Sequence, residues 1–422
     1  MARKMIAKSL PVPLAERALL LGKTMCAIDR YFVHWEDTNL KSIDEIYQKY
    51  SGKVLGANDR QSMLLAMSEL IAELGNGHSS YVDEALKRKT IPFKAFYHDV
   101  AKRWVVSDSA LKGINVGDVI MAINKVPVEK LYAKVRGRIS GSNDRMRRNR
   151  LFSNPRISLP ESFELGLGGG SKIRVRQRNA APVAPPKSAV PYKSLGDGIG
   201  YIKIEDFSRA PGKRSEEEAM GAVRKLWNSN AIIIDIRGNS GGSTPIRLMQ
   251  LLMDRDWNCE RFATIKQKPI YRAISEAYKG NELNSHEYAY FQATKCKCNK
   301  RHYPGRLFII VDHNTISAAE DFVMPFKVYK RATIIGSTTA GSTGDGYVLR
   351  VGTMRVKIGA VRCWLPDGGE FEGIGIKPDV VSYPTIRDMQ TGNDRVLGKA
   401  IAIAKGVLPS NSKKYQNAAE KP

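Results

Sequence analysis

The sequence predicts an α/β fold in which helices cover a parallel sheet on both faces. Two short runs, residues 231–236 and 307–311, are apolar throughout, as is typical of strands buried on both sides. Amphipathic helices are predicted around them, at residues 215–227, 244–253 and 318–329. Further strands are predicted at residues 199–204 and 332–335. This alternation of strands and helices favours a parallel sheet over an all-helical or all-β fold.

The length of 422 residues allows two or three domains, and the 42% hydrophobic content is that of an ordinary globular protein. No run approaches the roughly 18 apolar residues that span a bilayer, so no transmembrane segment is predicted. Residues 1–22 form a poor signal peptide because charged residues and prolines interrupt them. We therefore expect either a protein that stays inside the cell or one whose export signal is missing from this sequence.

The strongest compositional bias is charge, with 67 Lys and Arg against 42 Asp and Glu and a net charge of +25. Such a surface attracts nucleic acid, anionic lipid and acidic peptides. The basic clusters are dispersed and belong to no recognisable nucleic-acid module. A solvated basic surface is therefore favoured, and binding to nucleic acid is the weaker alternative.

The five cysteines are odd in number and widely spaced, so no disulfide framework is predicted. Cys296, Cys298 and His302 are candidates for a metal site. Their two-residue step is not the usual zinc-ligand spacing, and the neighbouring lysines repel a cation. We expect no metal there.

Five regions are predicted along the chain. They are a helical region (1–90), a β-rich segment (91–178), a Pro/Ala-rich linker (179–194), an α/β core (195–390), and a helix with a polar tail (391–422). In the first region, Ser42 and Asn58 are expected to cap helices, and Gly75 to end the third helix. In the second, a turn and strand at residues 117–124 followed by a helix near 128–135 resemble the late strands of a PDZ domain.

Two segments at predicted strand-to-helix turns are candidates for chemistry. Residues 235–242 (DIRGNSGG) form a glycine-rich turn whose backbone N–H groups suit an anion or oxyanion, although a plain tight turn explains them equally well. Ser317 begins a helix after a buried strand, where N–H groups and the helix dipole favour a reactive hydroxyl. Because Ser317-x-x-Glu320 is also a capping box, the pattern taken alone favours a helix cap.

These motifs together resemble the C-terminal processing (tail-specific) peptidases, a family of serine peptidases that includes tricorn-type members. The resemblance runs from the N-terminal helices through IIIDIRGNSGG, TISAAEDF and RATIIGSTTAG to FEGIGIKPDV. It implies a crotonase-like/ClpP-like α/β core with an N-terminal helical region and a PDZ-like segment. It also implies a peptide or protein substrate, no metal or organic cofactor, and a periplasmic or secreted location if a signal was removed.

By this resemblance, Ser317 matches the nucleophile, and the N–H groups of Gly242 and Ala318 match the oxyanion hole. The branch that uses a Ser–Lys dyad has a lysine 25 residues after the serine, where this chain has Ser342. The resemblance is therefore to the branch that uses histidine. That branch has a Leu-x-Asp-Gly-His loop, which residues 74–78 match with Asn76 in place of Asp.

His78 is accordingly the expected general base. Without the resemblance it would be an ordinary loop histidine, and His313, closer to Ser317 in sequence, is expected to point elsewhere. Glu372 matches the family's acidic residue. Without the resemblance, it would be interpreted as a solvent-exposed glutamate in a hairpin. Tricorn-type members have a serine before the histidine, where this chain has Gly77, so either Ser79 or Glu372 itself is expected to orient His78.

The sequence thus predicts a serine peptidase that forms an acyl-enzyme on Ser317. One alternative is a catalytically inactive member of the same fold that binds peptides or other ligands. The other is a basic protein that binds nucleic acid or an anionic surface. The oligomeric state is left open.

Overall fold

The computed structural model describes residues 11–38, 42–180, 190–208, 214–266, 287–291 and 293–407. Residues 1–10 of the basic start lie outside this part of the chain. The same holds for residues 181–189 of the predicted linker and residues 408–422 of the predicted tail. The division into five regions stays a prediction.

The core is a six-stranded sheet whose first pair is antiparallel and whose other pairs are parallel. In spatial order its strands are Tyr192–Ser194, Ile199–Lys203, Ala231–Asp235, Arg306–Val311, Ala332–Gly336 and Val380–Val381. Every residue of Ala231–Asp235 is buried. The predicted α/β class with a parallel sheet is confirmed.

Helices pack on both faces of this sheet, which explains why its central strands are apolar throughout. Ile232 and Ile234 belong to the core cluster that contains Phe322, whereas Ile233 belongs to a separate cluster with Ala400. The alternation follows from the two-residue period of a strand. The first face is covered by Ser215–Lys225, Ile246–Leu252 and Ala318–Val328, and the second by Arg395–Ala404.

The N-terminal helices pack on a separate three-stranded antiparallel sheet, and both contribute to one hydrophobic cluster. The helices are Leu14–Tyr31, Ile43–Leu55 and Arg60–Glu73, and the strands in spatial order are Ser80–Asp83, Met354–Gly359 and Gly346–Val351. The strand that follows His78 is therefore paired with a hairpin from the far end of the chain. This pairing carries the His78 loop to the core.

Helix caps in this region follow the predicted chemistry with one correction. Ser42 accepts a hydrogen bond from the Glu45 amide, as expected of a cap. The third helix is capped by Asp59 and not by Asn58, whose side-chain oxygen instead accepts a hydrogen bond from Arg17 at 2.9 Å. The helix ends at Glu73, just before Gly75, which has the positive φ of +62° predicted for a stop.

The β-rich segment forms a mostly consecutive antiparallel sheet with the helix Val128–Val135 beside it. Its strands are Phe93–His98, Arg103–Ser109, Val119–Ile123, Ser162–Leu167 and Lys172–Arg176, with the short Val126–Pro127 paired to the third. Between the helix and the fourth strand, a turn and two short helices (Asp144–Arg150 and Pro155–Ser158) lead the chain past the His78 loop. The PDZ-like character of this sheet stays a prediction.

The remaining described elements are short. They are the strand pairs Lys89–Thr90 with Arg178–Asn179 and Trp257–Asn258 with Lys295–Cys296, the sheet of Arg261–Lys266, Glu287–Phe291 and Arg362–Trp364, the helix Ile386–Thr391, and the 3-10 turns Trp35–Asp37 and Arg136–Arg138. Among the described helices, none combines the length and apolar character needed to cross a bilayer.

Candidate active site

Ser317 lies in the turn between the strand Arg306–Val311 and the helix Ala318–Val328, with φ +61° and ψ −134°. Such a conformation costs a residue with a Cβ about 1–3 kcal/mol and persists only where the surroundings hold it. Here the Ser317 N–H donates to the Ser342 carbonyl at 3.0 Å and to Glu320 Oε2 at 3.3 Å. The second bond is part of the capping box, so Ser317 takes part in helix capping although its hydroxyl faces another residue.

The glycine-rich turn after the strand Ala231–Asp235 lies directly against Ser317. Gly241 has φ +88°, and a Cβ there would lie 2.8 Å from Ser317 Cβ and 3.0 Å from the Ala318 nitrogen. Gly242 has φ +137°, and a Cβ there would collide with the Phe207 carbonyl. Only glycine therefore fits this close approach of two backbones.

Two backbone N–H groups beside Ser317 are candidates for an oxyanion site. Phe207 bonds to the Gly241 carbonyl and to the Ser243 amide, on either side of the Gly242 N–H. The Ala318 N–H begins its helix. Within the described ranges, neither the Gly242 nor the Ala318 N–H donates to another protein group. The two amides that the sequence predicts as an oxyanion site are thus available for one.

His78 reaches Ser317 from the other side of the site. Its Nε2 lies 3.3 Å from Ser317 Oγ, although the two residues are 239 positions apart in the chain. The loop is held by buried Asn76, whose Oδ1 accepts the His78 N–H at 3.0 Å. It also accepts the Ser79 hydroxyl at 3.2 Å. In this chain an amide oxygen of Asn76 accepts the hydrogen bonds that hold the loop, at the position where the Leu-x-Asp-Gly-His motif has an aspartate.

The other imidazole nitrogen faces a chain of hydroxyls that ends on Glu372. His78 Nδ1 lies 2.9 Å from Ser342 Oγ, and the Ser342 and Ser142 hydroxyl oxygens are 3.0 Å apart. The Ser142 hydroxyl donates to Glu372 Oε1 at 3.0 Å. Because a carboxylate only accepts, one consistent assignment runs from Nδ1–H through both serines to Glu372. This tautomer leaves Nε2 as an acceptor facing the Ser317 hydroxyl.

Two alternatives from the sequence are therefore replaced by a third arrangement. Ser79 donates to Asn76 and accepts the Gly359 N–H, so its hydroxyl is engaged away from the imidazole. Glu372 meets His78 through Ser142 and Ser342 and not directly. In the sequence, Ser342 stands out only as the position of a missing lysine, and no motif marks Ser142.

Gly77, where tricorn-type members have a serine, explains this arrangement sterically. A Cβ at Gly77 would lie 2.9 Å from Ser342 Oγ and 2.7 Å from Met146 Sδ. The space that a serine side chain would need is thus occupied, in part by the hydroxyl that contacts His78. Ser342 supplies, from a different part of the chain, the hydroxyl that faces His78 Nδ1.

The electrostatics favour a neutral imidazole beside a buried acid. Burial and, to a lesser extent, the positive charges of Lys357 and Arg150 together lower the pKa of His78 to about 4. Burial raises the pKa of Glu372, while hydrogen bonds from serine hydroxyls oppose that shift. At neutral pH the His78 ring can therefore accept a proton from Ser317.

The other candidate residues lie elsewhere. His313 stacks on Phe96, with ring centroids 5.1 Å apart, and its Nε2 faces Asn314. The Cys296 thiol faces Cys259 at 2.9 Å, and His302 Nδ1 faces the Asn299 carbonyl at 3.2 Å. In the described part of the chain, no three His, Cys, Asp or Glu side chains cluster as a metal ion requires.

A known family profile covers the part of the site that contains Ser317, Ser342 and Glu372, whereas His78 and Ser142 lie before the matched region. The profile of peptidase family S41 matches residues 198–382. A probable CtpA-like serine protease of Staphylococcus haemolyticus (strain JCSC1435) is 24% identical over 246 residues, covering 53% of this chain and 43% of its own length. A probable CtpA-like serine protease of Staphylococcus aureus (strain COL) is 22% identical over 404 residues, covering 88% and 73%. This chain thus spans less than half the length of the first of these relatives.

Solved structures show the same fold at low sequence identity. Mature CPAF complexed with lactacystin superimposes with a TM-score of 0.70 at 15% identity, over 93% of this chain and 98% of that one. The photosystem II D1 C-terminal processing protease superimposes with a TM-score of 0.53 at 18% identity, over 90% and 99%. The similarity therefore extends over the N-terminal helices and the β-rich segment as well as the core.

Proposed function

We propose, from the premise that this chain belongs to the C-terminal processing peptidases of family S41, that it cleaves peptides or proteins through an acyl-enzyme on Ser317. The observation that carries this proposal is the position of His78 between two hydroxyls, with Nε2 3.3 Å from Ser317 Oγ and Nδ1 2.9 Å from Ser342 Oγ. In covalent catalysis, a nucleophile lies within hydrogen-bond reach of a base that a third group orients, and Ser317, His78 and Ser342 have this arrangement.

The chemistry begins with attack of Ser317 Oγ on the scissile carbonyl carbon. The hydroxyl proton passes to His78 Nε2, and the carbonyl oxygen becomes an oxyanion that the Gly242 and Ala318 N–H groups stabilise. The imidazolium then gives its proton to the leaving amine as the C–N bond breaks. Water then attacks the acyl carbon and gives a proton to the same nitrogen. This proton passes to Ser317 Oγ as the ester bond breaks, which releases the carboxylic acid and free Ser317.

Ser342, Ser142 and Glu372 have a supporting role in this mechanism. Their chain of hydrogen bonds holds the Nδ1–H tautomer and gives the imidazolium an anionic partner two hydroxyls away. In the dyad branch, a lysine stands at the position of Ser342 and acts as the base. In this chain the residue at that position, Ser342, instead orients His78, which is the base.

The substrate we propose is a peptide or an unfolded protein segment that approaches by its carboxyl-terminal end. The β-rich segment offers strands that a peptide could extend, as in PDZ-type recognition. The net charge of +25 attracts the terminal carboxylate at long range. One structural neighbour, the photosystem II D1 C-terminal processing protease, has a name that agrees with this substrate class.

A fluorophosphonate probe, which phosphonylates an activated serine, tests the proposal. We expect the wild type to be labelled, Ser317→Ala to be unlabelled, and His78→Ala to be labelled at least about 100-fold more slowly. His313→Ala is the matched control, because this histidine is close to Ser317 in sequence but faces Phe96. A folded wild type that resists the probe would instead support a non-catalytic binding protein.

A further inference from the structure

Glu320 is a buried acid that the proposed mechanism does not use. It is 0% exposed, in the first turn of the helix Ala318–Val328. Its Oε1 accepts the Gly341 N–H at 2.8 Å, and its Oε2 accepts the Ser342 N–H at 3.0 Å. Oε2 also accepts the Ser317 N–H at 3.3 Å. One carboxyl group thus bonds to the backbones of two separate loops.

These bonds go beyond what helix capping requires. In a capping box, the Glu320 side chain needs to bond to the Ser317 amide alone. The bonds to the 341–342 turn join the nucleophile loop to the loop that carries Ser342. Two backbone bonds run alongside, from the Ser317 N–H to the Ser342 carbonyl and from the Ala340 N–H to the Thr315 carbonyl, each 3.0 Å long.

We propose that Glu320 is a positioning residue that fixes Ser317 and Ser342 relative to each other, so that the imidazole of His78 meets both hydroxyls at once. This inference rests on the proposed function. The imidazole ring fixes the distance between Nδ1 and Nε2 of His78. A shift of the Ser317 loop or of the Ser342 loop therefore breaks one of the two contacts to the ring. A misplacement of about 1 Å in such a constellation costs about 100-fold in rate.

The carboxyl group is the chemically suitable side chain for this position. Each of its oxygens offers lone pairs to N–H donors, whereas the amide NH₂ of glutamine offers none and would face an N–H. Burial raises the pKa of Glu320 to about 8, while the Thr339 hydroxyl and two backbone amides lower it. Burying an acid is costly, and its three N–H partners offset that cost.

The adjacent Asp321 provides a matched control. It is also buried on the same helix, and its carboxyl group accepts the Thr343 hydroxyl at 2.6 Å and the Thr244 hydroxyl at 2.9 Å. The change Asp321→Asn therefore removes a buried carboxyl next to Glu320 without touching the amides of Ser317, Gly341 or Ser342. Because Asp321 bonds to the turn after Ser342 through the Thr343 side chain and not through its backbone, a loss of positioning should be larger in Glu320→Gln, whereas a general loss of core stability would affect both variants equally.

The experiment measures fluorophosphonate labelling of Ser317 in the wild type, Glu320→Gln and Asp321→Asn, with the thermal unfolding midpoint of each. The maximal labelling rate is separated from the half-saturating probe concentration. For Glu320→Gln we expect a maximal rate at least about tenfold lower than for Asp321→Asn, with an unchanged half-saturating concentration. Should Glu320→Gln fail to fold, Glu320→Asp, which withdraws the carboxyl by one methylene, takes its place with the same expectation.

Two results would overturn the inference alone: labelling of Glu320→Gln at the wild-type rate, or equal slowing in Glu320→Gln and Asp321→Asn. A wild type that is not labelled on Ser317 would overturn the proposed function and the inference with it. The two failures are therefore distinguishable.

Discussion

The hydroxyl of Ser342 lies 2.9 Å from Nδ1 of His78 and on the opposite side of the imidazole from Ser317. Ser342 follows Ser317 by 25 residues, whereas His78 comes from a loop 264 positions before Ser342. The site is therefore assembled from segments at opposite ends of the chain. Pairing of the strand Ser80–Asp83 with the strand Met354–Gly359 holds those segments together.

Replacement of Ser342 by alanine should slow labelling of Ser317. Without its hydroxyl acceptor, the Nδ1–H tautomer loses its partner, and Nε2 is no longer held toward Ser317. We expect a labelling rate at least about tenfold below wild type. The buried Ser337, at the end of a core strand, provides the control variant Ser337→Ala. Wild-type labelling of Ser342→Ala would contradict the orienting role.

The change Gly77→Ala should also slow labelling of Ser317, because the added methyl group would displace the Ser342 hydroxyl. The added Cβ would lie 2.7 Å from Met146 Sδ and 2.9 Å from Ser342 Oγ, so both side chains must shift, and the Ser342 hydroxyl is displaced from Nδ1. Gly77→Ala should slow labelling about as much as Ser342→Ala, and the double variant should be no slower than either single variant. Gly137→Ala is the control, since no described atom lies within 4 Å of its Cβ position. Additive effects in the double variant would show that the two changes act independently.

The glycine-rich turn offers a pair of variants that separates backbone strain from contact with the nucleophile. Gly241 and Gly238 both have positive φ, so alanine costs either position about 1–2 kcal/mol. A Cβ at Gly241 would also lie 2.8 Å from Ser317 Cβ, whereas no described atom is within 4 Å of one at Gly238. Gly241→Ala should therefore abolish labelling, while Gly238→Ala should only lower the urea midpoint. Equal labelling of both would contradict this.

The labelling rate should depend on pH through the unprotonated imidazole. Because the pKa of His78 is lowered to about 4, the rate should be nearly constant around neutral pH and fall to half near pH 4. An unperturbed imidazole would lose half the rate near pH 6.5. A midpoint near 6.5 in the wild type would show that His78 is solvated and not held as described.

The same shift makes stability depend on pH. Between about pH 6.5 and pH 4, the unfolded chain binds a proton on His78 that the folded chain excludes. This contribution to stability is present above pH 6.5 and is lost as the pH falls through 4. In urea unfolding, the stability of the wild type relative to His78→Asn should therefore be constant above pH 6.5 and decrease as the pH falls from 6.5 to 4. Parallel curves over that range would contradict the lowered pKa.

The core was predictable because its signals are local. The run at residues 231–236 is apolar on both faces, and such a run occurs where helices cover both sides of a sheet. The cap of the third helix was missed by one residue, because Asn58 and Asp59 are both good caps. The choice depends on a distant partner, Arg17, which engages Asn58.

The hydroxyl chain was not predictable in the same way. Ser142 lies in a turn between a 3-10 turn and a short helix, and no periodicity or motif marks it. Its hydroxyl contacts Ser342, which is 200 residues later in the sequence, and Glu372, which is 230 residues later. Only the clash that a side chain at Gly77 would cause hints at the arrangement, and that clash depends on tertiary contacts.

A crystal structure of the fluorophosphonate adduct tests the central claim most directly. We expect phosphorus bonded to Ser317 Oγ, His78 Nε2 beside it, and the phosphonyl oxygen about 2.7–3.1 Å from the nitrogens of Gly242 and Ala318. An adduct on another residue, or a phosphonyl oxygen directed away from both amides, would contradict the account.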